Sequence, residues 1–143
     1  MPQPEPQPEF TLHPQIIQDT LDIGDMPLSR LRLMNDATYP WLILVPRRAD
    51  IVEIIDLVPD ERVQLMSEIS QVSQLLKAET KCDKLNIAAL GNMVRQLHIH
   101  VIARFGTDMA WPRPVWGQNQ AVSYSEKQSS ELISRLRDKL FIS

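Results

Sequence analysis

Three histidines occur in the chain. Two of them, His98 and His100, stand two residues apart in a largely apolar run. Extended backbone sends alternate side chains to opposite faces. In Gln96-Leu97-His98-Ile99-His100-Val101 this puts Gln96, His98 and His100 on one face, and Leu97, Ile99 and Val101 on the other, toward a core. Imidazole titrates near neutral pH and serves as nucleophile, proton carrier or metal ligand. The residues alone leave three uses open. Both rings can lie idle on a solvated sheet face. They can bind a metal, which needs further ligands; His13 and Cys82 are the soft candidates, neither at helpful spacing. Or they can carry out nucleophilic catalysis on an anionic substrate. Gly91-Asn92-Met93, the turn just before the histidines, suits that third use, because backbone N–H groups in such a turn form a nest for phosphate oxygens. Arg95 and Arg104 flank the strand, with Arg95 on the face opposite His98.

The elements that must position these residues follow from apolar periodicity. Ile16, Ile17, Leu21 and Ile23 suggest a short helix over 14–23, broken by Gly24-Asp25-Met26-Pro27. Leu31–Met34 and Trp41–Val45 flank a turn-rich Asn35–Pro40 segment and read as a hairpin, ended by Pro46-Arg47-Arg48. Asn35 and Asp36 are ordinary turn formers there. Ile51–Leu57 is apolar but too short to assign. Val58, Val63, Leu65, Met66, Ile69, Val72, Leu75 and Leu76 keep a 3.6-residue period and predict a long helix over 59–80, with Pro59-Asp60-Glu61 at its start and Lys77 and Lys81 at its end. Leu85–Leu90 is a third strand and Arg95–Phe105 a long fourth one. A final helix spans 123–140, with Leu132, Ile133, Leu136 and Leu140 on one face. Hairpins between helices confined to one side make an α+β architecture with antiparallel pairing.

The chain has 143 residues, 43% hydrophobic and 23% charged, which is one ordinary domain with material for a core. A net charge of −3 leaves no excess of cations for a nucleic-acid backbone. The lone Cys82 excludes an internal disulfide and suits a reducing compartment. No apolar run approaches the roughly 18 residues of a membrane span, and the start, Met1-Pro2-Gln3-Pro4-Glu5, is not a secretory signal. A soluble, cytoplasmic protein is expected. Residues 1–9, with four prolines, read as a disordered Pro-rich tail. His13, ahead of Pro14, is expected to be exposed, Cys82 to be a bystander near a helix end, and Arg47 and Arg48 to lie on a solvated edge.

The segment Gly91-Asn92-Met93-Val94-Arg95-Gln96-Leu97-His98-Ile99-His100-Val101-Ile102 resembles the signature of the histidine triad superfamily of nucleotide hydrolases and transferases, in the manner of a bacterial diadenosine polyphosphate hydrolase-like member. Leu33-Met34-Asn35, Trp41–Arg47, Asp56-Leu57 and Pro59-Asp60-Glu61 extend the likeness, which covers about residues 12–105 in element order. It implies an antiparallel sheet of about five strands with a long helix and a C-terminal helix. The domain would span 10–105, and the Trp/Pro segment and last helix, 106–143, would pack on it or on a dimer partner. It implies that His98 attacks the α-phosphorus of a dinucleoside polyphosphate or related nucleotide, that a covalent nucleotidyl-histidine forms, and that a nucleoside monophosphate is released. His100, carrying a proton, would assist at a phosphate or leaving-group oxygen. Asn35 would hold the ribose. Gly91, Asn92 and Met93 would line the phosphate loop, and the base would lie near Leu31, Leu33 and Ile43. No resident metal or cofactor is required, though a divalent cation can accompany a polyphosphate. A homodimer joined edge to edge through its sheets is also implied.

Three departures from the signature matter. Gln96 replaces the first histidine; it can hydrogen-bond but carries no proton at neutral pH. Met93 replaces the hydroxyl residue of phosphoramidate-cleaving branches, which favours a polyphosphate or ester substrate. The loop before Gly91 is short. Gln96 motivates a second reading, a nucleotide-binding module with weak or absent turnover. A third reading is an interaction protein using the Pro-rich tail and Trp111-Pro112-Arg113-Pro114-Val115-Trp116. Those tryptophans either seal the core or a subunit contact, or border the substrate site.

Overall fold

A computed structural model describes residues 9–140; all but the last residue of the expected 1–9 tail falls outside them. Helix α1 (Pro14–Asp19) leads into strand β1 (Thr20–Asp25). Strands β2 (Ser29–Met34) and β3 (Trp41–Pro46) form the expected hairpin. Helix α2 (Pro59–Thr80), strands β4 (Lys84–Ala88) and β5 (Ile99–Arg104), and helix α3 (Glu126–Leu140) follow. The five strands make one antiparallel sheet in the order β1-β2-β3-β5-β4. This is the α+β arrangement anticipated, with its long helix and C-terminal helix.

The apolar alternation explains the layering. Leu31, Leu33, Leu42, Leu44, Ile99, Val101 and Ala103 point to one face and pack on Leu65, Ile69, Val72 and Leu76 of α2 and Leu136 of α3. Burying each such leucine contributes about 2 kcal/mol. The other face carries Trp41, Ile43, Val45 and Ile102, covered by Ile16 of α1 and by Tyr39, Ala110 and Val115. Both faces are covered, so β3 and β5 are buried along their whole length. α2 starts with Pro59 at its first turn and closes on Lys81 in the left-handed conformation.

Three expectations need correction. The helix over 14–23 ends at Asp19, where Thr20 turns extended, its hydroxyl donating back to the Ile16 carbonyl. Leu21 and Ile23 then belong to β1, paired with β2 through a bulge between Asp22 and Gly24; sheet pairing outweighs the weak helical period. The long strand over 95–105 shortens to Ile99–Arg104, because the Leu97 N–H donates to the Ile51 carbonyl and leaves the ladder. Helices on one side holds for α2 and α3, while α1 packs on the opposite face. Along α2, Val63 and Met66 are exposed.

Candidate active site

The two imidazoles meet on the face away from α2. β5 presents His100 opposite Ile43 of β3, so both share that face. His98 lies just before the ladder, yet the alternation persists: the two rings stand edge to face with centroids 4.9 Å apart. Both histidines are buried. Leu97 and Ile99, between and beside them, sit in the helix-side core as expected.

Hydrogen-bond partners assign each ring its tautomer. His98 Nδ1 lies 2.7 Å from the backbone carbonyl of Gln96. A carbonyl oxygen only accepts, so Nδ1 carries the proton and Nε2 keeps its lone pair. His100 is the reverse. Its Nδ1 accepts from the indole N–H of Trp41 at 3.0 Å, so its proton resides on Nε2. Burial, and secondarily the neighbouring His98, push the His100 pKa down to about 3. His100 is therefore neutral at physiological pH. The protonated assistant expected from the resemblance is corrected to a neutral N–H donor. Trp116 completes the enclosure, with its ring 5.1 Å from His100 and 5.7 Å from Trp41.

A cavity of about 340 Å³ opens beside the pair. Ile16, Met34, Trp41, Ile43 and Trp116 make apolar walls, Gly91, Asn92 and Met93 border the histidines, and Asp19 and Thr20 add polar groups. Gly91 takes φ +73°, a left-handed conformation that glycine reaches without strain. Among the described residues, no hydrogen bond engages the backbone N–H of Gly91, Asn92 or Met93. They remain donors beside His98, as an anion nest requires.

The structure brings His98, His100, Gly91, Asn92 and Met93 together and directs two other expected residues elsewhere. Gln96 does not line the cavity: its side chain bonds the N-terminal segment that covers the histidine face, donating to the Thr11 carbonyl at 2.8 Å and accepting from the His13 N–H at 2.9 Å. Asn35 turns its side-chain carbonyl to the Tyr124 N–H, 2.9 Å away, outside the cavity lining. Leu31 and Leu33 face the α2 core, so of the proposed base slot only Ile43 lines the cavity. His13 is half-buried and caps α1 through Nδ1, correcting its expected exposure. Cys82 is buried in the core. Arg104 is no phosphate donor: it is buried, paired twice with Asp108, and bonded to Asn86 and the Arg113 carbonyl. It anchors the segment that delivers Trp116, with Trp111 packed over its guanidinium. Trp116 lines the cavity, whereas Trp111 is 39% exposed and belongs to neither core cluster. Arg47 bonds the Met26 and Pro27 carbonyls, and Arg48 pairs with Glu61.

Sequence reasoning did not single out Trp41 as the partner of His100, nor Ile16 and Asp19 as wall residues. The strand parity of Trp41 with Ile43 was a usable signal for the first; nothing local pointed to the other two. Among the described residues, no group of three or more His, Cys, Asp or Glu side chains is disposed to hold a metal ion. No helix among them is long and apolar enough to cross a membrane.

Comparison with known proteins identifies the family and the fold. Residues 17–107 match the HIT domain family. A histidine triad protein from Bradyrhizobium japonicum is 57% identical, with a TM-score of 0.90 over 92% of this chain and 98% of that one. Histidine triad proteins from Sinorhizobium meliloti and Marinobacter aquaeolei are 45% and 43% identical, with TM-scores of 0.89 and 0.91. They cover 91% and 93% of this chain and 96% and 97% of their own lengths. No curated protein matches the chain. The chain belongs to the HIT (histidine triad) family. Membership supports nucleotide binding and the hydrolase or transferase chemistry associated with it.

Proposed function

We propose that this protein is a nucleotide hydrolase or nucleotidyl transferase acting at an α-phosphate through His98. The observation that carries this reading is the opposed pair of tautomers at the mouth of an apolar cavity. The base enters between Trp41, Ile43 and Trp116. The phosphate meets the N–H groups of Gly91, Asn92 and Met93. Asn35, whose backbone N–H donates to the Asp19 carbonyl, stands behind the sugar, and Asp19 on the wall offers carboxylate oxygens to a ribose diol.

The chemistry follows from the protons. His98 Nε2 attacks phosphorus; the N–P bond forms as the bond from phosphorus to the leaving group breaks. The imidazole becomes cationic, and its Nδ1–H donates more strongly to the Gln96 carbonyl. His100 Nε2–H donates to a phosphoryl or leaving-group oxygen where negative charge grows. Water or another acceptor then attacks phosphorus, the N–P bond breaks, the acceptor's proton passes to solvent, and a nucleoside monophosphate leaves when the acceptor is water. No residue in these steps requires a metal; a divalent ion would arrive with a polyphosphate substrate. Homodimer formation is part of the same proposal. β4 is an edge strand, with Ile87 exposed on it.

The test is AMP release from a diadenosine polyphosphate and from adenosine phosphoramidate. His98→Ala should abolish turnover by a factor above about 10³ while AMP still binds. Release that survives in the variant refutes the nucleophile assignment. Binding without release in the wild type replaces the enzyme by a binding module.

A further inference from the structure

The N-terminal segment supplies one wall of the cavity, through Ile16 and Asp19 of α1. That helix has only six residues, far below the length at which a helix holds itself. Its order must come from contacts beyond itself. Burial of Ile16 is one, and Arg32 donating to the Thr20 carbonyl is another. The third is Gln96. Its carboxamide makes two bonds to one stretch of main chain, Oε1 to the His13 N–H and Nε2 to the Thr11 carbonyl. Only this orientation of the amide pairs donor with acceptor at both ends. Both partners are backbone atoms, so the clasp holds the path of the chain. A histidine in its place presents its two nitrogens on opposite sides of a rigid ring and makes one of these bonds at most. The His13 beyond the clasp caps α1 through its ring, so the fastened residue is the one that starts the wall helix.

We propose that Gln96 is a positioning residue that fastens the N-terminal wall of the nucleotide cavity, so that its side chain governs substrate affinity and not the chemical step. The inference rests on the reading of this cavity as the nucleotide site. It accounts for a glutamine where the signature has histidine: the main-chain carbonyl of residue 96 orients His98 whatever its side chain, which leaves the side chain available to hold the wall.

The experiment compares wild type with Gln96→Met, which keeps length and removes both bonds, and Gln96→Glu, which keeps an acceptor for the His13 N–H. Three quantities are read: AMP binding by calorimetry, kcat and KM for a diadenosine polyphosphate with their pH profiles, and amide exchange over 11–19. Gln96→Met should weaken AMP and raise KM about tenfold, as expected for two hydrogen bonds partly recovered by water, with kcat within about twofold. Exchange over 16–19 should quicken at least about tenfold, and the pH profile should stay fixed. Gln96→Glu should recover part of the affinity. A Gln96→Met variant that binds AMP like wild type, or loses kcat at constant KM, or leaves exchange unchanged, overturns the inference alone. A wild type that binds no AMP overturns the nucleotide reading and this inference with it.

Discussion

Acid should destabilise this protein through one buried ring. His100 is 4% exposed, its Nδ1 occupied by Trp41 and its face by Trp116 and His98. Its pKa falls from the usual 6.5 to about 3 in the folded state, first by burial and then by His98. Between those values the unfolded chain binds a proton that the folded chain refuses, so stability rises with pH across the window and drains away as pH falls from about 6.5 toward 3. Going from pH 7 to pH 5, the loss is about 2 kcal/mol, or roughly 6 °C in melting temperature for a chain of this size. The full window amounts to about 5 kcal/mol. Urea melts at pH 7, 6, 5 and 4 measure it, with His100→Asn as the reference. Carboxylates such as Asp108, held down to about 2 by its Arg104 bonds, titrate lower and act equally in both proteins. The difference between the two stability curves should therefore steepen below pH 6.5. Nitrogen-15 NMR should show the Nε2–H tautomer of His100 persisting to pH 4. Parallel curves, or a His100 titration near pH 6, refute the argument that burial keeps this ring unprotonated in acid.

Other perturbations test the frame around the pair. Trp41→Phe leaves His100 Nδ1 buried without its donor; stability should drop by about 1–3 kcal/mol in a denaturant melt. The same variant should lose roughly tenfold or more in kcat/KM, because His100 is no longer held as the Nε2–H tautomer. Arg104→Met breaks a buried pair with Asp108 and frees the Arg113 carbonyl, so it should cost about 3–5 kcal/mol by chemical denaturation. It should also quicken proteolysis within 106–117, since that segment is tied to the sheet through this guanidinium.

What was legible in the sequence, and what was not, divides along one physical line. Periodic burial is local, and it revealed α2, the β2–β3 hairpin, α3 and the pairing of His98 with His100 on one face. Wherever a single bond from a distant part of the chain outweighs the period, the reading slipped. The Leu97 N–H bonds Ile51 and ends the strand early; the Gln96 amide bonds Thr11 and His13 and Asn35 bonds Tyr124, so neither lines the cavity. Strand alternation can say that two imidazoles share a face, but not which nitrogen of each holds the proton. That is set by the Gln96 carbonyl on one ring and, 59 residues away in sequence, by the Trp41 indole on the other. Exchange those partners and the same two histidines, equally spaced and equally buried, would offer phosphorus a donor at position 98 and a lone pair at position 100. The division of labour proposed for the two rings is therefore a property of the tertiary contacts around the motif, and the motif by itself carries only the capacity for it.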